Sequence, residues 1–223
     1  MTSASTILIL SAWEPEIASL RAQLARSAAR AISRWTTCGA VGVGGIDAGI
    51  GAARAIAEVE PARVVFVGTA GCYAARAGAL SIGAVALPEE LVLCSTAALR
   101  GDGYLPAPRV QRAPVSGALL ADLRRASPEA VAGDAAATPL AITRTVGLAR
   151  RIARGTGATV ENLESFAVAR AAAHADIPMA AVLGIANHVG PRAHAEWRRN
   201  HVAASKAACA VVWAWLSAKS SSE

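Results

Sequence analysis

The chain has 223 residues, 54% of them hydrophobic and 17% charged, which excludes a disordered chain and suits one compact α/β domain over residues 1–223 with a sizeable core. Its net charge of +6 does not come with a nucleic-acid signature: Arg21, Arg54, Arg63, Arg76 and Arg124 are scattered, without a stripe or interleaved aromatics. The longest apolar runs, such as AACAVVWAWL near the C-terminus, are about half the ~20 residues of a membrane helix, so no transmembrane span is expected.

The chain opens MTSASTILILSAWEPE, with no positive n-region and an early Glu14 and Glu16, unlike a signal peptide, and a cytoplasmic location is expected. TILILSA (6–12) reads as a strand that feeds a helix from Glu14 to about Arg34. AVGVGGIDAG (40–49) has the glycine and β-branched content of a strand and turn, and GAARAIAEVE (51–60) reads as a helix ended by Pro61. RVVFVGTAG (63–71) is almost wholly apolar, as a strand covered on both faces would be. IGAVALPEELVL (82–93) gives another strand region, and 95–115, with Gly101, Gly103, Pro106, Pro108 and Pro114, reads as a long loop of the kind that covers a site. A helix around 116–126, a strand around 138–146 and a helix to about Arg154 follow. Residues 158–178 read as a strand end, a turn and a helix stopped before Pro178; MAAVLGIAN (179–187) is a buried strand, and 193–218 a long C-terminal helix. The four cysteines, Cys38, Cys72, Cys94 and Cys209, form no CxxC and no zinc spacing, which points to buried free thiols.

In an open sheet of this kind ligands gather beyond the carboxyl ends of the strands, which directs attention to 12–16, 68–73, 161–165 and 186–192. At the third of these, Glu161, Asn162 and Glu164 cluster where a strand enters a helix. One reading is local: Asn162 caps the helix and the glutamates offset its dipole, worth about 0.3–1 kcal/mol each. The other is chemical: a carboxylate accepts hydrogen bonds from both hydroxyls of a vicinal diol.

VGTAG (67–71), GIGAARA (49–55), ENLESFAVA (161–169) and a strand ending GIAN occur in the order seen in the nucleoside phosphorylase and nucleosidase superfamily, which the chain resembles over most of its length. The resemblance implies a three-layer sandwich with a central mixed, partly barrel-like sheet flanked by helices, and a homodimer or larger assembly. It implies no metal and no organic cofactor. ENLES is similar to the segment whose glutamate holds the ribose 2′ and 3′ hydroxyls, which gives that role to Glu164, with Asn162 beside it and Leu163 where methionine underlies the sugar. SAWEPE (11–16) resembles the segment of methylthioadenosine/S-adenosylhomocysteine nucleosidases whose last glutamate activates water, which gives that role to Glu16. The Gly-Asp-Pro and arginine with which phosphorylases grip phosphate have no counterpart, so hydrolysis is expected.

Adenine-specific nucleosidases end the later strand on an aspartate that protonates N7; here it is Asn187. An amide offers N–H groups to N7 or O6 and a carbonyl to a protonated ring nitrogen, which suits hypoxanthine or guanine. IANHVGPRAHAEW (185–197) is especially similar to futalosine hydrolases, which release hypoxanthine from futalosine in menaquinone biosynthesis. By the same resemblance Thr69, Ala70 and Gly71 bring backbone close to the purine, and Arg192 meets the substrate's carboxylate or is simply an exposed residue after Gly-Pro. Trp13 covers the ligand or joins the core, and Val146 stands where related enzymes stack a phenylalanine on the base. His188 reads as a structural or pocket-rim residue, and Cys72 and Tyr73 as wall in place of chemistry. The departures at Ala186 and Ala84, where serine and aspartate are usual, leave room for a substrate other than futalosine. Two other readings stay open: a purine nucleoside phosphorylase with an atypical phosphate site, and a non-catalytic nucleoside-binding protein.

Overall fold

The computed structural model describes residues 6–26, 30–73 and 80–220, so that Arg76 and the first five residues lie outside it. β1 (Ile7–Ser11) leads into α1 (Glu14–Leu24) and a short α2 (Arg30–Ser33), then β2 (Thr36–Ala40), α3 (Gly45–Val59) and β3 (Arg63–Cys72). β4 (Val85–Leu87), β5 (Glu90–Cys94), α4 (Thr96–Arg100), β6 (Arg112–Pro114) and α5 (Gly117–Ala126) follow. β7 (Val131–Ala132), β8 (Ala135–Pro139), α6 (Val146–Thr156) and β9 (Ala158–Glu161) precede α7 (Ser165–His174), β10 (Met179–His188) and α8 (Ala193–Ser220).

The spine of the sheet is the pair β3 and β10, ten residues each and parallel. Both are buried along nearly their whole length because each face meets a helical layer. The side chains alternate accordingly. Leu8 and Leu10, Val64 and Phe66, and Ala181, Leu183 and Ile185 pack with residues of α3 and α7. Ile7 and Ile9, Val65 and Val67, and Ala180 and Val182 pack with α1, α5 and α8. A third cluster, built on Val92, Ala137, Ile152 and Ala158, lies under α6. A Cβ on Gly184 would meet the Ala204 carbonyl oxygen at 2.1 Å, so α8 rests directly on β10.

The sheet is mixed and curls, as expected for the superfamily it resembles. Its strands run β6-β5-β8-β9-β3-β10-β4-β7, with β1 and β2 branching from β3. The branch has a functional consequence. The first half of β3 pairs in parallel with β1 from Arg63 to Phe66, whereas its end pairs antiparallel with β9 at Gly71 and Cys72. Between them one edge of β3 has no strand beside it, and a cavity opens there.

Several boundaries differ from those read in the sequence. The helix expected to Arg34 stops at Leu24, and the strand expected in 40–49 is Thr36–Ala40, after which α3 already begins at Gly45. The segment 95–115 contains α4 and β6. The strand expected at 138–146 is Ala135–Pro139, and Val146 is the first residue of α6, capped by the Thr145 hydroxyl, which accepts from the Leu148 N–H at 3.3 Å. Among the described residues no helix is long and apolar enough to cross a membrane. The four cysteines are free thiols, three of them buried and Cys38 half-buried.

Candidate active site

At the unpaired edge of β3 the backbone of Thr69 must find partners other than a strand, since a buried amide left unsatisfied is costly. Two side chains supply them. The Thr69 N–H donates to Glu16 Oε1 at 2.9 Å, and the Thr69 carbonyl accepts from Asn162 Nδ2 at 3.0 Å. The gap in the sheet thus fixes the two residues that the sequence singles out at the starts of α1 and α7.

Glu16 sits in the first turn of α1, 7% exposed. Its Oε1 also accepts from the Thr69 hydroxyl at 2.8 Å, and its Oε2 from the Ser11 hydroxyl at 2.9 Å. Burial raises its pKa from the ordinary carboxylate range, against the pull of these hydrogen bonds. Asn162 is tied to the backbone at both ends: besides the Nδ2 bond to Thr69, its Oδ1 accepts from the N–H groups of Glu164 and Ser165 at 3.0 and 2.8 Å. The N-cap of α7 is Glu164; Asn162, two residues earlier, ties off the Glu164 and Ser165 N–H groups from outside the helix. Its further effect is to hold Glu164 in register with Thr69.

Glu164, 5% exposed, accepts from the Gly44 N–H at 2.9 Å through Oε1. Burial, helped by the nearby charge of Glu16, pushes its pKa up to about 7. A third carboxylate, Glu161, is clamped by the Tyr73 hydroxyl at 2.8 Å and the Thr143 N–H at 3.0 Å, and burial raises its pKa as well.

Asn187 comes from the far side of β3. The register of β10 shifts between Ile185 and Asn187, so that Asn187 lies opposite Gly71. One amide N–H donates to the His188 carbonyl at 3.0 Å, which leaves a second N–H and the carbonyl oxygen for a ligand. Gly71 makes this position possible. A Cβ there would meet Asn187 Nδ2 at 2.7 Å and Val189 Cγ2 at 2.9 Å. Gly71→Ala should therefore displace the amide, costing about 1–3 kcal/mol of stability, measured by thermal unfolding. An unchanged unfolding midpoint would show that the strand pair accommodates the methyl group.

Glu16, Glu161, Glu164 and Asn187 all line one cavity of about 390 Å³, a size suited to a nucleoside. Ala12, Trp13, Val43, Ile142, Leu163, Ala193, His194 and Trp197 make up most of its remaining wall. Among the described residues no lysine or arginine lines it, and no group of three or more His, Cys, Asp or Glu side chains is placed to hold a metal ion. The arrangement offers buried carboxylates that can accept a proton or hydrogen bonds from hydroxyls, and an amide that can both donate and accept.

The family model of the phosphorylase superfamily matches residues 7–217. The chain belongs to the phosphorylase superfamily. A futalosine hydrolase of Streptomyces coelicolor is similar to it at 32% identity over 169 residues, covering 69% of this chain and 70% of that protein. Among solved structures, a 5′-methylthioadenosine/S-adenosylhomocysteine nucleosidase of Neisseria meningitidis, bound to methylthio-immucillin-A, has a TM-score of 0.82 at 17% identity, covering 96% of this chain and 99% of that one. The native futalosine hydrolase of Helicobacter pylori has a TM-score of 0.84 at 14% identity, covering 96% and 98%. At these identities the likeness is one of fold.

Within this superfamily framework the structure gathers Glu16, Glu164, Asn187, Asn162, Leu163, Thr69, Ala70, Gly71 and Trp13 around the cavity. It does not bring Val146 or Arg192 there. Both line a separate depression with His188 and Glu196. Val146 is carried away because the strand before it ends at Pro139, and Ile142 takes the cavity wall instead. Arg192 is 85% exposed in its side chain and lies 3.6 Å from Glu196. Glu196 in turn accepts from the His188 N–H at 2.8 Å and lies 3.1 Å from His188 Nδ1, and chiefly that backbone bond lowers its pKa. His188 thus anchors the start of α8. None of the residues 95–115 lines the cavity. The sequence reading missed Val43, Ile142, His194 and Trp197; only the last two had a signal, as aromatic side chains at helical spacing three residues apart just after the Asn187 strand.

Proposed function

We propose that the chain is an N-glycosyl hydrolase for 6-oxopurine nucleosides, with futalosine as its substrate and hypoxanthine and dehypoxanthine futalosine as its products. The observation that carries this reading is the convergence of Glu16, Glu164 and the amide of Asn187 on one cavity, supported by the similarity to a futalosine hydrolase. Glu16 accepts a proton from water, whose oxygen bonds to C1′ as the C1′–N9 bond breaks and its electron pair leaves with the base. Glu164 holds the ribose hydroxyls, so that the sugar is fixed while positive charge develops at C1′. The Asn187 N–H meets O6 or N7 and stabilises the charge building on the departing oxopurine, which takes its final proton from solvent.

Water is favoured over phosphate as the nucleophile by charge. Three glutamates and, among the described residues, no lysine or arginine line the cavity, so a phosphate held beside C1′ would meet carboxylates and no paired cation. Incubating the enzyme with futalosine or inosine in phosphate-free and phosphate buffers tests this. Equal rates and free sugar are expected; a sugar 1-phosphate would reverse the assignment. The proposed setting is menaquinone biosynthesis in the cytoplasm, with a homo-oligomer as the working assembly.

The raised pKa values give a pH signature. Glu16 and Glu164 act as carboxylates, and each is protonated more readily than an ordinary glutamate. kcat/KM should therefore fall as the pH drops through about 7, the value for Glu164. A profile flat down to the ordinary glutamate range near pH 4–5 would contradict both roles.

A further inference from the structure

We propose that Trp197 is a positioning residue that points the Thr69 hydroxyl proton at Glu16 and thereby keeps Glu16 ionised. The inference rests on the reading of Glu16 as the base. The indole Nε1–H of Trp197 lies 3.1 Å from Thr69 Oγ1, which itself lies 2.8 Å from Glu16 Oε1. An indole N–H can only donate, so the hydroxyl oxygen accepts there, and the single hydroxyl proton is left for Glu16. The chain has one direction. A protonated Oε1 would have to donate to an oxygen already accepting from the indole, whose own proton would then need another acceptor; the indole therefore disfavours protonation at that oxygen.

The ring is held by aromatic neighbours. Trp197 stacks on His201 with centroids 4.4 Å apart and lies against Trp13 and His194 at 6.3 and 6.2 Å. His201 Nδ1 lies 3.1 Å from the Trp197 carbonyl oxygen, which fixes the two rings on one turn of α8. The other groups acting on Glu16 are Ser11 on β1, the carboxylate of Glu164 at the start of α7, and His201 and Cys209 on α8. None of them contacts the Thr69 hydroxyl in place of the indole.

Trp197→Phe keeps the ring and removes the donor. With glutamate labelled by carbon-13 at the side-chain carboxyl, and the Glu16 resonance assigned by its loss in Glu16→Gln, the titration midpoint of Glu16 should rise by about one pH unit in Trp197→Phe. Thr69→Val, which removes the middle of the chain, should raise it at least as far, and adding Trp197→Phe to Thr69→Val should change nothing more. The acid limb of kcat should move in the same direction and order. A midpoint unchanged in Trp197→Phe, or a shift that persists in the Thr69→Val background, would overturn the proposal. The titration needs no substrate: a protein that cleaves no nucleoside would refute the hydrolase reading, while the midpoint alone would still decide for or against the hydrogen-bond chain.

Discussion

Glu16→Gln should lower kcat by about 10²–10⁴-fold while leaving nucleoside affinity within a few-fold of the parent. The substitution is close to isosteric. The amide oxygen can still accept from the Thr69 N–H and hydroxyl, and the Ser11 hydroxyl, which lies 2.9 Å from the other position, can turn to accept from the new NH₂. What is lost is the capacity to take a proton from water. Single-turnover release of hypoxanthine from futalosine, with calorimetric binding of the same nucleoside, separates the two quantities. A variant that turns over within tenfold of the parent would mean that another group activates water. A variant that no longer binds would mean that Glu16 grips the substrate instead.

Asn187→Asp should shift the preference from 6-oxopurines towards 6-aminopurines. A carboxyl oxygen turned to the base can accept from a 6-amino group but meets O6 of hypoxanthine with lone pairs against lone pairs, and the lost hydrogen bond together with that repulsion would cost about 2–3 kcal/mol, or roughly 30–150-fold in kcat/KM. The new carboxyl group would share the cavity with Glu16, Glu161 and Glu164, whose pKa values are already raised. It would therefore hold a proton towards neutral pH and could give it to N7 of adenine. Base release from futalosine, inosine, adenosine and methylthioadenosine, resolved by chromatography, measures the ratio. An unchanged ratio would remove Asn187 from base recognition.

The central strands were legible because burial on both faces leaves an uninterrupted apolar run, as in β3 and β10, where no polar pattern competes. β2 was harder. TTCGA carries little hydrophobic signal, since its burial is partial and it pairs only with β1. The glycines before α3 read as a turn, yet Gly44, with φ +86°, is its N-cap and turns its N–H to Glu164. β8 is AAATP, whose strand conformation comes from its neighbours β5 and β9 and not from propensity.

The same contrast holds in the cavity. Glu16, Glu164 and Asn187 take their roles from the resemblance, since position alone also leaves Glu16 and Glu164 as glutamates that offset a helix dipole. Trp197 did not stand out, because its partner Thr69 is 128 residues away in the chain and meets it only through the docking of α8 on β10. Val146 and Arg192 misled because a resemblance transfers position in sequence, whereas the boundary of β8 and the turn after β10 decide which side chains reach the cavity.

The selection of a 6-oxopurine is proposed to rest on the amide of Asn187, working with Glu16 and Glu164. Its most direct test is the ratio of kcat/KM for hypoxanthine release from futalosine to that for adenine release from methylthioadenosine, measured with the unmodified protein in phosphate-free buffer. A ratio well above ten is expected; adenine released faster than hypoxanthine would contradict the role of the amide.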